Sequence, residues 1–112
     1  MSFIKLDDIV GREVVPGFKG KFIHSQNVTI VHWAITAGSL LTEHNHPHEQ
    51  ITNLIDGELE LTIEGITKIM RAGEVVVVPP NVKHKGTAIT DCYVIDVFYP
   101  IREDYRVELT EK

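Results

Sequence analysis

The sequence has little of what marks secreted and membrane proteins. Its single cysteine, Cys92, cannot form an internal disulfide, which fits a reducing, cytoplasmic setting. No apolar run approaches the roughly 20 residues that a membrane span requires. The first residues carry an acidic pair, Asp7 and Asp8, where a signal peptide would continue its apolar stretch. We therefore expect a cytoplasmic protein that does not associate with membranes.

Basic residues are fewer than acidic residues. Eleven Lys and Arg stand against sixteen Asp and Glu, which gives a net charge of -5. Binding a phosphate backbone needs a basic surface, so nucleic acid is not an expected partner. The hydrophobic share of 43% and the charged share of 24% are those of an ordinary globular protein. With 112 residues, we expect one domain over 1–112.

Helical periodicity is nearly absent from the sequence. Residues 2–12 could hold a turn or a short helix, and after them two-residue alternation and short apolar runs take over. We interpret Asp56-Gly57 as the turn of a tight hairpin, and the four valines of 75–78 as a strand covered on both faces. The pattern predicts an all-β protein, an antiparallel sandwich or barrel. The main predicted strands are 28–37, 51–55, 58–63, 66–70, 74–78 and 91–99.

Histidine is the residue type that stands out. Four of the six histidines lie between positions 44 and 84. On a strand, His44 and His46 would project from one face and offer two neutral nitrogen donors to a divalent metal. Alone, the pair is equally typical of surface histidines on an edge strand. His24 and His32 match no motif, and we expect them to be ordinary core or surface residues.

Two stretches of the chain carry a specific spacing. The first is a glycine, five residues, His-x-His, three residues, a glutamine, six residues and a glycine; the second is a glycine, five residues, Pro-x-Asn, two residues and a histidine. Together they resemble the paired motifs of the cupin superfamily, over about residues 30–100. The matching positions are Gly38, His44, His46, Gln50, Gly57, Gly73, Pro79, Asn81 and His84.

This resemblance implies a small antiparallel jelly-roll barrel, a double Greek key, with one divalent transition metal. The implied ligands are His44, His46, Gln50 and His84. Asn81 replaces the usual glycine, which is tolerable because asparagine adopts left-handed backbone conformations more readily than most residues. The alternative is a cupin barrel that holds no metal.

Gln50 departs from the usual glutamate ligand. Its amide oxygen is neutral and non-basic, so the metal would keep its full charge and favour a Lewis-acid role. Such donors do not select among Ni, Zn, Mn, Fe and Co. Gln50 could instead be a core hydrogen-bonding residue. Strand alternation points Glu49 to the opposite face, although a one-residue bulge would reverse this. His48, in the turn before Gln50, is either a solvent-facing or supporting residue or a substrate contact.

The last predicted strand offers a proton-transfer group. Asp96 and Phe98 share a face with Val94, which suggests that they point into the barrel. Burial would raise the pKa of Asp96 towards the range of a general acid or base. The alternatives are a structural carboxylate paired with a lysine or arginine for Asp96, ordinary core packing for Phe98, and a surface salt bridge for Arg102.

A narrower resemblance covers both motif regions. His-x-His-Pro-His-Glu-Gln followed by Asp-Val-Phe-x-Pro-x-Arg-Glu-Asp-Tyr is similar to the small cupins of the pectin-degradation type. Those proteins open the ring of 4,5-unsaturated uronates to linear keto-uronates. The resemblance implies a sugar-acid substrate and catalytic roles for Asp96, Phe98 and Arg102, with Arg102 pairing with the sugar carboxylate.

Two other functions stay open at the level of sequence. One is a non-catalytic, metal-dependent sensor or binding domain for a small molecule. The other is a metal-dependent dioxygenase, which the missing glutamate disfavours. A barrel of this size has edge strands to protect, so we also expect a homodimer.

Overall fold

Antiparallel strands build nearly the whole described chain, as the alternation predicts. The computed structural model describes residues 3–110, with the backbone alone for 107–110. Two short 3-10 helices, Leu6–Asp8 and Glu103–Thr110, lie before and after the strands. The strands are β1 (Arg12–Val15), β2 (Phe18–His24), β3 (Thr29–Ile35), β4 (Leu40–His44), β5 (Glu49–Asp56), β6 (Glu58–Ile63), β7 (Ile66–Arg71), β8 (Val75–Val78), β9 (His84–Ala88) and β10 (Cys92–Tyr99).

The strands form two sheets that face each other. One has six strands in the order β1-β2-β3-β10-β5-β8, and the other has four in the order β4-β9-β6-β7. From β3 onward the chain alternates between the sheets except at the β6–β7 hairpin, which confirms the predicted jelly-roll barrel. Over the described residues, no helix is long and apolar enough to cross a membrane.

The core lies between the sheets and is filled by alternate residues of each strand. On β10, Val94, Asp96 and Phe98 are buried, whereas the residues between them are partly exposed. Trp33 on β3 sits between two phenylalanines of β2, with ring centroids 6.0 Å from Phe18 and 5.6 Å from Phe22. Burying each such side chain contributes about 1.5–3 kcal/mol. The six-stranded sheet therefore supplies most of the aromatic core.

The Asp56-Gly57 bend is not a hairpin, and this prediction was wrong. The strand before it, β5, pairs with β10 and β8, while β6 pairs with β7 and β9. The chain therefore crosses from one sheet to the other at this point. Gly57 has φ +101, and a Cβ there would lie 2.3 Å from the carbonyl oxygen of Asp91. The dipeptide marks a sharp, crowded bend, but it does not specify that the flanking strands pair.

The valine strand is covered on one face only, which corrects a second prediction. β8 is an edge strand and pairs with β5. Val75 and Val77 are 57% and 53% exposed, whereas Val78 is 1% exposed. Four consecutive valines indicate a strand, since branched side chains favour it, but they do not report how many layers cover it.

Candidate metal centre

Three histidines converge at one end of the barrel. His44 ends β4 and His84 begins β9, and the two lie directly opposite each other in the register. His46 lies two residues beyond the end of β4, so strand alternation does not place it, contrary to the expectation. Instead the backbone N–H of Asn81 donates to the carbonyl oxygen of His46 at 2.7 Å. Asn81 adopts φ 65, the left-handed conformation expected where the motif has glycine.

The imidazoles are close enough to share one ion. One ligand nitrogen from each of His44, His46 and His84 lies within 4.8 Å of the others. The ring centroids of His44 and His84 are 4.2 Å apart, and those of His46 and His84 are 5.0 Å apart. His46 and His84 are buried, and His44 is half-buried. The cluster could therefore hold a metal ion.

The hydrogen bonds of the three rings fix which nitrogen is available. Each Nδ1 lies beside a backbone carbonyl, at 2.8 Å for His44, 3.0 Å for His46 and 2.9 Å for His84. A carbonyl only accepts, so each Nδ1 carries the hydrogen and each neutral ring keeps its lone pair on Nε2. Burial lowers the pKa of His46 to about 4 and lowers that of His84, which keeps both rings neutral. The accepting carbonyls belong to Thr42, His48 and Val82.

Gln50 faces this cluster from the other sheet. It is buried on β5, and its Nε2 donates to Oγ1 of Thr52 at 2.9 Å, which turns its oxygen towards the histidines. Oε1 of Gln50 lies 3.0 Å from Nε2 of His46. Both atoms carry lone pairs, so a cation between them would satisfy both. Nε2 of His84 is buried and has no hydrogen-bond partner among the described residues. Three imidazole nitrogens and one amide oxygen form a donor set that fits a divalent transition metal.

Asp96 lies in the same cavity on β10, directly opposite Thr52 of β5. Nε1 of Trp33 donates to its Oδ2 at 2.9 Å. Burial raises the pKa of Asp96 to about 6, and the polar groups of Thr52, Trp33 and Gln50 oppose part of that rise. Among the described residues, no lysine or arginine forms a salt bridge with Asp96. Its hydrogen-bonding neighbours are neutral, which is the environment of a carboxyl group that titrates near neutral pH.

Arg102 is a buried side chain with a partner of its own. Its guanidinium makes two hydrogen bonds to the carboxylate of Asp104, at 3.0 and 2.7 Å. It also stacks on Phe98 and Tyr105, 4.7 and 4.2 Å from the ring centroids. Its backbone N–H donates to the buried hydroxyl of Thr29 at 2.9 Å. The salt bridge expected as an alternative therefore exists, but the arginine in it is buried rather than on the surface.

All seven candidate residues line one cavity of about 170 Å³. Among the other residues that line it are Trp33, Thr52 and Tyr105, to which the sequence assigned no role. Thr52 could have been found, because it lies two residues after Gln50 and so shares its strand face. Tyr105 follows the last strand in a 3-10 helix, where no periodicity marks it.

Of the other histidines, His48 lies beside the cluster, with its ring centroid 5.5 Å from that of His46. Glu49 is exposed on the opposite face of β5, as predicted. The backbone carbonyl of His48 accepts the Nδ1–H of His46, and the role of the His48 side chain stays a prediction. Nδ1 of His24 hydrogen-bonds to Thr29. His32 hydrogen-bonds to the hydroxyl of Tyr93.

The chain is similar to known proteins in sequence and in fold. A family model described as a cupin domain matches residues 31–98. The pectin degradation protein KdgF of Dickeya dadantii (strain 3937) is 30% identical over 102 residues, covering 88% of this chain and 93% of that protein.

Two solved structures are similar along nearly their whole length. KdgF from Halomonas sp. is 30% identical with a TM-score of 0.87, over 94% of this chain and 98% of that one. An RmlC-like cupin from Shewanella frigidimarina NCIMB 400 is 26% identical with a TM-score of 0.88, over 94% and 96% of the two chains. The family match spans more than half of the sequence, and the chain therefore belongs to the cupin family.

Proposed function

We propose that this protein binds one divalent transition metal and opens the ring of 4,5-unsaturated uronates to linear keto-uronates. The proposed ligands are His44, His46, His84 and Gln50. The observation that carries the proposal is the convergence of three imidazole lone pairs and an amide oxygen on a cavity that also holds a buried carboxyl group. The similarity to a pectin degradation protein over 88% of the chain supports the substrate class.

Ring opening is an isomerisation and needs no oxidant. The bond between C1 and the ring oxygen breaks, the C1 hydroxyl loses its proton, and a proton is added at C4. Carbonyl groups form at C1 and C5, so atoms and electrons balance. The reaction requires a group that can take up one proton and deliver another. Among the described residues that line the cavity, Asp96 is the one carboxylic acid, and we assign this role to it.

A divalent metal, when bound, supplies a Lewis acid that stabilises negative charge on a substrate oxygen. Gln50 adds no charge to the ligand set, since its amide is neutral. The hydrogen bond from Gln50 to Thr52 keeps the amide oxygen turned towards the histidines. Proton transfer is thereby left to a side chain outside the ligand set.

Arg102 and Phe98 would position the sugar acid. A guanidinium has five N–H donors, and Asp104 takes two of them. The remaining donors can bind a carboxylate, for which arginine is well suited. The ring of Phe98 lies 5.7 Å from that of His46 and would form an apolar wall beside the bound sugar.

Turnover of defined monosaccharides tests the proposal. Unsaturated galacturonate and mannuronate would be incubated with metal-loaded protein, with chelator-treated protein and without protein. We expect the metal-loaded protein to remove the ultraviolet absorbance of the ring alkene faster than the other two samples do, and NMR to show the linear keto-uronate. If both sugars stay at the spontaneous rate while still binding, the protein is a metal-dependent binding domain. If turnover consumes oxygen, it is a dioxygenase.

A further inference from the structure

The cavity at the candidate metal centre has two layers of different polarity. On β9, His84 belongs to the histidine cluster, and Gly86 follows two residues later on the same inward face. On β10, Val94 precedes Asp96 by two residues, again on the inward face. Two residues along a strand span about 7 Å. The polar layer, which holds the histidines and the buried carboxyl group, is therefore followed along the barrel by an apolar layer.

A glycine leaves space in the apolar layer. Gly86 lies directly opposite Leu41 of β4 on one side and Leu61 of β6 on the other, and all three line the cavity. A Cβ at Gly86 would lie 2.9 Å from Cδ2 of Leu61, so a side chain at this position would occupy the space beside the leucine. Val94 and Trp33, which pair with each other in the six-stranded sheet, line the cavity from the other side. The apolar layer is thus a space with aliphatic and aromatic walls.

The apolar layer reaches the surface between two edge strands. β1 ends the six-stranded sheet, and β4 ends the four-stranded sheet. Val14 of β1 and Leu41 of β4 both line the cavity, and both are partly in contact with solvent, Val14 with 37% of its surface exposed. An apolar chain held in this layer therefore has a path to solvent between β1 and β4.

We propose that the cavity binds an aliphatic monocarboxylic acid of about four or five carbons, with its carboxylate in the polar layer and its alkyl tail in the apolar layer. Arg102 lines the same cavity and has N–H donors that Asp104 does not use, so its charge and geometry complement a carboxylate. An apolar cavity of about 150 Å³ holds one benzene molecule. This cavity measures about 170 Å³, which is room for the about six or seven non-hydrogen atoms of butyrate or valerate.

A sugar acid does not account for the apolar layer. The side chains of Leu41, Leu61 and Val94 offer no hydrogen-bond partner to ring hydroxyls, and a buried hydroxyl without a partner is costly. A uronate would therefore occupy the polar layer and leave the apolar layer unused. The aliphatic acid goes beyond the proposed function, because its binding does not depend on uronate turnover. The two ligands would compete for Arg102.

Titration with a series of straight-chain acids tests the proposal. Acetate, propionate, butyrate, valerate and hexanoate would be added to metal-loaded protein. Binding would be followed by calorimetry and by the fluorescence of Trp33, the one tryptophan of the chain, which lines the cavity. Because burial of one methylene is worth about 4-fold in affinity, we expect each added carbon up to valerate to tighten binding by about that factor, and hexanoate to add less. Equal affinities along the series, or no binding of any acid, would overturn the proposal, whatever the outcome of the separate uronate assay.

Two variants change the size of the apolar layer in opposite directions. Gly86→Ala places a methyl group against the flexible end of Leu61, so valerate should bind at least ~4-fold more weakly while acetate binds as before. Leu61→Ala enlarges the layer, so hexanoate should become the tightest ligand, and this test does not depend on how Gly86→Ala folds. The control is Gly11→Ala, outside the cavity, where a Cβ would meet the flexible side chain of Lys19; it should leave the whole series unchanged. Equal loss of acetate and valerate binding in Gly86→Ala, or an unchanged order of affinities in Leu61→Ala, would overturn the proposal.

Discussion

The two sheets contribute different chemistry to the same cavity. The four-stranded sheet provides His44 and His84, which offer nitrogen lone pairs. The six-stranded sheet provides Gln50, Thr52 and Asp96, which orient an amide oxygen and hold a buried carboxyl group. Because each sheet supplies different groups, the complete site is formed only where the two sheets face each other. This division also implies that a substitution at Asp96 can impair the proposed proton transfer without removing any of the proposed metal ligands.

The largest effect should come from the four-stranded sheet. His84→Ala removes one of three nitrogen donors, so we expect loss of most of the metal and all measurable turnover. The melting temperature should also fall towards that of metal-free protein, because a metal bound only by the native state stabilises it by mass action. Elemental analysis and thermal melting with and without metal would measure both. His32→Ala, on the outward face of β3, is the control and should keep its metal. Full metal content in both His44→Ala and His84→Ala would refute the site.

The second largest effect should come from the six-stranded sheet and leave the metal in place. The Asp96→Asn variant keeps an oxygen that can accept the hydrogen bond from Trp33, but its side-chain amide cannot act as a general acid or base. We expect turnover to fall by about 10²–10⁴-fold, the usual contribution of a general acid or base, with metal content and substrate binding retained. The control is Glu49→Gln, which makes the same chemical change on the exposed face of β5 and should be neutral. If the variant is largely unfolded but its folded fraction turns substrate over at the wild-type rate, the role of Asp96 is structural rather than catalytic.

Much of this division could be predicted from the sequence, because strand alternation is a local property. The side of β10 that carries Asp96 and Phe98 followed from two-residue spacing alone. The two-residue spacing did not show which strands belong to which sheet. Whether the chain at Gly57 folds back or crosses over depends on the strands with which β5 and β6 pair, β10 and β9, which lie far along the chain. No window of residues around the bend contains that information.

Prediction of the site from the sequence is limited in the same way, because its contacts join residues that are far apart in the chain. Motif spacing identified the histidines, but the conformation of His46 depends on a hydrogen bond from Asn81, 35 residues later. Trp33 matches no motif, and its role is visible only because β3 lies beside β10 and brings its indole N–H to Asp96. Likewise, no spacing indicated that Asp104 would take two of the donors of Arg102, a residue expected to bind substrate. Sequence spacing reports which groups share a face, but not what they meet across the barrel.

A smaller effect should appear where the two functions touch, at Thr52. Its hydroxyl accepts from Gln50, and Thr52 lies directly opposite Asp96 in the register, so it links the proposed ligand Gln50 to the carboxyl group. Thr52→Val keeps the shape but frees the amide of Gln50 to turn its nitrogen towards the histidines. We expect metal affinity to fall about 10–100-fold, the usual result of removing a group that supports a ligand. Competition with a chelator would measure it, and Thr52→Ser should restore the wild-type value. Equal weakening in the serine variant would point to packing rather than to the hydroxyl.

The smallest effect should come from the Arg102–Asp104 pair, which lies outside both sheets. The hydrogen bonds and charge of Arg102 lower the pKa of Asp104 below its usual value. The stabilisation is therefore fully present above the pKa of an unfolded aspartate, about 4, and is lost as the pH falls through the lower folded value. Because the Asp104 side chain is 57% exposed, solvent screening limits the pair to at most about 1 kcal/mol.

Urea unfolding of wild type and Asp104→Asn at a series of pH values isolates this pair. We expect the variant to be less stable by at most about 1 kcal/mol at neutral pH, and the difference to shrink as the pH falls below about 4. There the wild-type carboxyl group is protonated and resembles the amide. Metal content should be unchanged at neutral pH. A stability difference that stayed constant or grew in acid would show that Asp104 acts through something other than its charge. Loss of metal in the variant would show that the Arg102–Asp104 pair also supports metal binding.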